Sequence, residues 1–246
     1  MQIKPLLFSC IILLSACAST QKPAQLVYKD YQINRSAKVD SSFIKMLQPY
    51  ADSMHKQMNT VIGFSTTTLY KKQPESPIGN FMADCMKIYA AKVYNIPVDA
   101  AFVNYGGIRS YLPKGDIKLE TIYEIMPFDN LIVLQKVNGN ILRQLLDRSA
   151  NDGGWPSSGI TMKIKDKAAT DIYVNGSPVN DDSVYTIAVS DYLANGGDQC
   201  SMLKNIAQQN KNYLFRDALI DYVKSFTKNG KPVSANIENR ITNANE

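Results

Sequence analysis

Apolar residues recur along this chain at two spacings, which predict helices and strands in alternation. Helical spacing predicts one helix after Asp40, a second from Ser76-Pro77, a short one over Leu119 to Ile125, and others from Asn140 and over Tyr213 to Phe226. In the first of these, Pro49 predicts a kink or a break. In the second, Ser76 supplies a capping hydroxyl ahead of a proline in the first turn, which is typical of a helix start.

Short apolar or alternating runs predict the strands. They are Val61 to Tyr70, Val98 to Val103, Leu131 to Val137, Ile160 to Ile164, Ile172 to Val174, Val184 to Val189 and Ile237 to Ile241. Asn175-Gly176 predicts a hairpin turn after one of them. Because helices interleave with strands and hairpins, the pattern predicts a mixed α/β fold in which helices flank a mixed sheet, and not a doubly wound parallel sheet.

The first 38 residues have a different character. Lys4 precedes an apolar run, Pro5 to Leu14, that is too short for a transmembrane helix, so residues 1–16 are predicted to be a secretory signal. The sequence before Cys17 resembles a bacterial lipobox, which predicts Cys17 as the lipidated first residue of the mature protein; an ordinary cleaved signal with an incidental cysteine is the alternative. Residues 17–38 are then a polar tether and residues 39–246 one domain. This predicts an extracytoplasmic protein held at a membrane by lipid, in the periplasm or at the cell surface.

Composition narrows the possible chemistry. There are 27 Lys and Arg residues against 22 Asp and Glu, a net charge of +5, without a basic block, so the sequence gives no footprint for nucleic-acid binding. The one histidine is His55, in the first predicted helix. Once Cys17 and the signal are set aside, Cys85 and Cys200 remain, and the sequence leaves open whether they form a disulfide.

Three segments carry candidate binding residues. Asn104-Tyr105-Gly106-Gly107-Ile108-Arg109 follows a predicted strand; its glycines let a ligand approach the backbone, and its arginine fork suits phosphate or carboxylate. Met126 to Asn130 and Asp191 to Asp198 each place an aromatic ring, Phe128 or Tyr192, beside a turn. Two rings that face each other can hold a planar base.

In this order, N-x-GGIR, PF-x-N and Y-L-A-N-G-G-D resemble the C-terminal, nucleotide-recognising domain of the 5′-nucleotidase/UDP-sugar hydrolase family, from about Ser41 to Asn243. The resemblance implies that Phe128 and Tyr192 sandwich a base, Asn104 meets it, Asp198 binds ribose hydroxyls and Arg109 helps to hold phosphate. The substrate-binding set that it implies is Asn104, Gly106, Gly107, Arg109, Phe128, Tyr192, Asn195 and Asp198.

Two departures from the family pattern bear on function. Pro74 stands where family members often carry a second phosphate-binding arginine, and Lys71 or Lys72 would replace it only as a point charge. Full members also have a metallophosphoesterase domain with two metal ions, for which a single histidine gives no ligand set. The chain is therefore expected to hold no metal or cofactor and to have no catalytic residues of its own.

The resulting expectation is a recognition domain that acts with a separate metallophosphoesterase in extracytoplasmic nucleotide hydrolysis. The alternative is a non-catalytic lipoprotein that binds nucleosides or nucleotide sugars. The sequence leaves open whether the chain is itself an enzyme.

Overall fold

The computed structural model describes residues 28–32, 34 and 38–244. The predicted signal, Cys17 and most of the predicted tether lie outside these residues. The chain divides into two units, Met1–Leu47 and Gln48–Glu246. Across the described ranges, no helix has the length and apolar character needed to cross a membrane.

Six α-helices and eleven strands lie within the described part of the chain. The helices are α1 Ser41–Met58, α2 Pro77–Tyr94, α3 Leu119–Ile125, α4 Gly139–Asn151, α5 Asp191–Ala194 and α6 Phe215–Lys228. The strands are β1 Val61–Ser65, β2 Ala100–Phe102, β3 Gly115–Lys118, β4 Leu131–Asn138, β5 Ser157–Ser158, β6 Ile160–Lys165, β7 Ala168–Val174, β8 Ser177–Pro178, β9 Val184–Ser190, β10 Gln208–Leu214 and β11 Ile241–Asn243.

The central sheet has the order β10-β4-β9-β2-β5. Strand β2 runs parallel to β9, whereas β4 is antiparallel to β9 and β10. A second sheet has the order β11-β6-β7-β8, and β1 pairs with β3 in a third. The mixed sheet with flanking helices that the sequence predicts is confirmed.

Successive residues of the central strands pack into two separate hydrophobic clusters. In β4, Ile132 and Leu134 join a cluster built with residues of α2 and α6. Val133 and Val137 point the other way, into a cluster with residues of α4 and of the second sheet. A strand that is buried on both faces needs apolar residues at consecutive positions, which explains the runs Leu131 to Leu134 in β4 and Ile187 to Val189 in β9.

Several element boundaries match the sequence prediction and others do not. Helix α2 begins as predicted, with the Ser76 hydroxyl accepting a hydrogen bond from Gly79 N at 3.2 Å. Helix α1 continues through Pro49, so the predicted break does not occur, and none of its residues is buried. The predicted strand from Val61 ends at Ser65. Cys85 and Cys200, whose state the sequence left open, are both buried free thiols.

Candidate functional site

The three segments singled out in the sequence meet at one edge of the central sheet. Asn104 follows the carboxyl end of β2, Tyr192 follows the carboxyl end of the parallel strand β9, and Asn130 precedes the antiparallel strand β4. These three strand ends therefore lie at the same edge. They enclose a cavity of about 340 Å³, lined by Asn104, Gly106, Gly107, Arg109, Phe128, Asn130, Tyr192 and Asp198.

The first segment forms a tight turn that needs glycine at one position. Residues Tyr105–Gly107 make one turn of 3₁₀-helix, in which Gly107 N donates to the carbonyl oxygen of Asn104 at 2.9 Å. A Cβ on Gly107 would lie 2.7 Å from Asn104 Oδ1. Any side chain at this position would therefore displace the Asn104 amide from the cavity wall.

Asp198 stands at the centre of the hydrogen bonds in the cavity. Its Oδ2 accepts from Asn104 Nδ2 at 2.6 Å, and its Oδ1 accepts from the Tyr192 hydroxyl at 2.8 Å. The backbone at Asp198 has a positive φ of 47°, and Arg148 Nε donates to its carbonyl oxygen at 2.8 Å. A carboxylate has about four acceptor positions, so each Asp198 oxygen keeps one further position for a hydrogen bond.

Tyr192 lies flat against the backbone of Gly197. A Cβ on Gly197 would lie 2.5 Å from Cζ of the ring and 2.6 Å from Cε1 and Cε2, so one ring face covers this residue. The Tyr192 hydroxyl also accepts from Asp198 N at 3.2 Å. Its hydrogen bond to the Asp198 carboxylate raises the pKa of Tyr192 above the usual value. The ring is thus fixed at the backbone and at its hydroxyl, while 46% of the residue is exposed.

On the other side of the cavity, Arg109 lies near Phe128. The guanidinium carbon is 6.0 Å from the centre of the Phe128 ring, and Nη1 donates to the carbonyl oxygen of Gly106 at 3.2 Å. The backbone N of Arg109 donates to the carbonyl oxygen of Ile125 at 2.9 Å, which ties this segment to the end of α3. Among the described residues that line the cavity, Arg109 is the only cationic one.

Lys71 is close to Arg109 but already has partners in the protein. Its ammonium donates to the carbonyl oxygen of Ile108 at 2.8 Å and lies 3.8 Å from the centre of the Tyr105 ring. Burial and, secondly, the positive charge of Arg109 lower the pKa of Lys71. Lys71 does not line the cavity, and Arg109 supplies the one guanidinium fork among the described residues that do.

Seven of the eight residues in the predicted substrate-binding set line this cavity. The exception is Asn195, which is exposed outside the lining and whose Oδ1 accepts from Gln208 Nε2 at 3.1 Å. Asn130 lines the cavity although it was not in the set; its place two residues after Phe128 in the same motif was the available signal. The roles of all eight predicted residues in binding stay predictions.

The described residues contain no group of three or more His, Cys, Asp and Glu side chains placed to hold a metal ion. His55 is exposed on α1. The candidate site is thus defined by two aromatic rings, a hydrogen-bonded carboxylate, amide side chains and one guanidinium. These groups have the chemistry to hold a flat, polar organic molecule that carries hydroxyl groups.

Together, these observations describe a mixed α/β domain with a candidate binding cavity at one edge of its central sheet. The family model for the 5′-nucleotidase C-terminal domain matches residues 57–205. The chain belongs to this family. It is 28% identical to Endonuclease YhcR of Bacillus subtilis (strain 168) over 234 residues, which are 90% of this chain and 18% of that protein.

A second relative is the 5′-nucleotidase of Vibrio cholerae serotype O1, 22% identical over 76% of this chain and 35% of its own length. The crystal structure of a 5′-nucleotidase precursor from Thermus thermophilus superposes with a TM-score of 0.72 and 26% identity, covering 84% of this chain and 44% of that one. The chain thus spans about a fifth to a third of the length of these two curated relatives.

Proposed function

We propose that this domain recognises the base and the sugar of a nucleotide. The observation that carries the proposal is the meeting of the exposed Phe128 and Tyr192 rings with the Asp198 carboxylate around one cavity. A nucleobase offers a flat face to each ring, and stacking on an aromatic side chain is worth roughly 1–3 kcal/mol per base. The free acceptor positions on Asp198 suit the ribose hydroxyls.

Phosphate is held by Arg109 alone in this proposal. Its fork can form two parallel hydrogen bonds to a phosphate, which a lysine ammonium cannot match in geometry. The Lys71 ammonium is bound to the Ile108 carbonyl and the Tyr105 ring, so it adds positive charge nearby without aiming a donor into the cavity. Recognition of the base and sugar therefore outweighs recognition of the phosphate.

Hydrolysis, in this proposal, is carried out by a separate metallophosphoesterase polypeptide that presents its metal ions to the phosphate bound here. The support is the family membership together with the single histidine in the 246-residue sequence, which does not fit an imidazole-rich dinuclear site. We place both polypeptides outside the cytoplasm, with this one anchored through a lipid on Cys17. The Lys4-to-Leu14 signal pattern and the residues before Cys17 support this location.

A titration with adenosine and AMP tests the binding proposal directly. Wild-type protein should bind both, and Tyr192→Ala should weaken binding at least about tenfold, because it removes one stacking surface. Tyr173→Ala is the matched control: Tyr173 is a 40% exposed tyrosine in β7, outside the cavity. Equal affinity of wild type and Tyr192→Ala would contradict the sandwich. The catalytic partner needs a separate experiment: a pull-down with the anchored protein from a native membrane extract tests whether a metallophosphoesterase binds it.

A second candidate function is capture of nucleosides or nucleotide sugars without any catalytic partner. The one-sided guanidinium favours it, because a site made for a phosphate to be cleaved gains from more than one fork. The same titration separates the two: a nucleoside-binding protein binds adenosine as tightly as AMP.

A further inference from the structure

A buried arginine outside the cavity holds the loop that carries Phe128. Arg216 is the second residue of α6, and 7% of it is exposed. Its Nη1 donates to the carbonyl oxygens of Met126 at 3.4 Å and Phe128 at 3.3 Å, and its Nη2 donates to the Asp129 carboxylate. One guanidinium thus binds three of the four residues from Met126 to Asp129.

The surroundings of Arg216 fix the guanidinium itself. Its central carbon lies 4.3 Å from the centre of the Tyr123 ring on α3, a cation–π contact. Its Nε is buried and has no hydrogen-bond partner among the described residues. Next to it, Phe215 N donates to the carbonyl oxygen of Asn130 at 2.9 Å, which adds a fourth anchor on the same loop.

This arrangement restrains the loop while leaving the ring accessible. Phe128 is 41% exposed and lines the cavity, but its own carbonyl oxygen and that of Met126 accept hydrogen bonds from Arg216. A ring on an unrestrained loop would have to be ordered when a ligand arrives, and that ordering weakens binding. Lysine has no planar fork and could not reach the same acceptors together.

We infer that Arg216 is a positioning residue for base recognition: it fixes the Met126–Asp129 loop so that the Phe128 ring faces the cavity before a ligand binds. Arg216 does not line the cavity, so it acts on recognition only through this loop. The inference rests on the proposed function in one respect, namely that Phe128 stacks on the base.

The first test needs no ligand. Amide hydrogen exchange of the peptide covering residues 126–131 should be at least about tenfold faster in Arg216→Lys than in wild type, because the carbonyl and carboxylate anchors are lost. Arg240→Lys is the matched control. Arg240 is also buried and hydrogen-bonded, to Asp84, Glu238 and the Ser157 carbonyl, none of which lines the cavity. The Arg240→Lys variant should leave the amide exchange rate of residues 126–131 unchanged.

The second test is a double-mutant cycle measured by calorimetry with adenosine. Phe128→Ala should weaken binding about tenfold in wild type and in Arg240→Lys, but less than about threefold in Arg216→Lys, where the ring is no longer held in place. A purely structural role for Arg216 would lower stability without changing the effect of Phe128→Ala.

A milder variant covers the case in which Arg216→Lys does not fold. The Asp129 side chain is 79% exposed, so Asp129→Asn weakens only the outer contact and should produce both effects at smaller size. Three results would each overturn the inference. The first is amide exchange at residues 126–131 that stays at the wild-type rate in a folded Arg216 variant, and the second is a full tenfold effect of Phe128→Ala on adenosine binding in that variant. The third is that Arg240→Lys accelerates this exchange or reduces the effect of Phe128→Ala as much as Arg216→Lys does. Absence of adenosine binding to wild type would instead refute the proposed function, and the exchange experiment would still decide the role of Arg216.

Discussion

Replacing Gly197 by alanine tests whether the backbone beneath Tyr192 sets the position of its ring. The new Cβ would lie 2.5 Å from Cζ of the ring. Carbon atoms in contact are about 3.5–4.0 Å apart, so the ring must move by about 1 Å. Gly197 does not have a positive φ, so alanine adds the methyl group without straining the backbone.

The size of the effect follows from what this movement breaks. The Tyr192 hydroxyl is 2.8 Å from Asp198 Oδ1 and 3.2 Å from Asp198 N, and a shift of about 1 Å takes both beyond good hydrogen-bond range. Stacking on the ring is worth roughly 1–3 kcal/mol, of which a displaced ring loses about 1 kcal/mol. Since 1.4 kcal/mol is about tenfold in affinity, adenosine should bind about fivefold more weakly.

Calorimetric titration of adenosine into wild type, Gly197→Ala, Tyr192→Ala and the double variant measures this effect. In the Tyr192→Ala background the added methyl meets no ring, so Gly197→Ala should change affinity by less than about twofold. Thermal unfolding of each variant checks that the fold is kept. The reasoning is refuted if Gly197→Ala binds like wild type, or if it weakens binding equally in both backgrounds.

Three further predictions concern phosphate, catalysis and the thiols. AMP should bind only modestly better than adenosine, and this difference in affinity should shrink at high salt. Arg109→Ala should abolish the difference. If titrations of this variant show an unchanged preference for AMP, another cation holds the phosphate. Purified protein with Mn²⁺, Mg²⁺ or Zn²⁺ should release no phosphate from AMP above background, and metal-dependent turnover that persists through repurification would contradict the proposed division of labour. Burial raises the pKa of Cys200 to about 12 and that of Cys85 well above its usual value, so both thiols stay protonated at neutral pH. Mass spectrometry should find both unlabelled by iodoacetamide in native protein and labelled in urea; rapid native labelling would show that they are accessible.

The sequence determined those elements whose signals are local. Helix α2 begins where a serine and a proline satisfy its first turn, and α3 coincides with its predicted range because its apolar spacing is helical. The strand from Leu131 was predictable because burial on both faces demands a run of apolar residues. The short motifs also predicted seven of the residues that line the cavity, because all seven fall in three short segments that follow or precede predicted strands and contain glycines or an aromatic residue.

Elements made by distant partners were missed or misplaced. Strand β10, Gln-Gln-Asn-Lys-Asn-Tyr-Leu, has a mostly polar sequence; it is an edge strand, where pairing to β4 and not apolar alternation makes the structure. The predicted strand over Ile237 to Ile241 is wrong except at its last residue. The Glu75 carboxylate, far away in the chain, accepts from the backbone N of Glu238 and Arg240 and so occupies donors that a strand partner would use.

The arrangement of the site was likewise decided only by the tertiary structure. Because β2 and β9 are parallel and β4 is antiparallel to β9, segments about 20 to 90 residues apart in sequence meet at one sheet edge. The contacts that fix their geometry connect side chains to backbone across these distances: Arg148 to Asp198, and Arg216 to Phe128. Such contacts leave no periodicity or motif in the sequence. The sequence does not distinguish these arginines from the others, because only the fold determines which carbonyl oxygens each of them can reach.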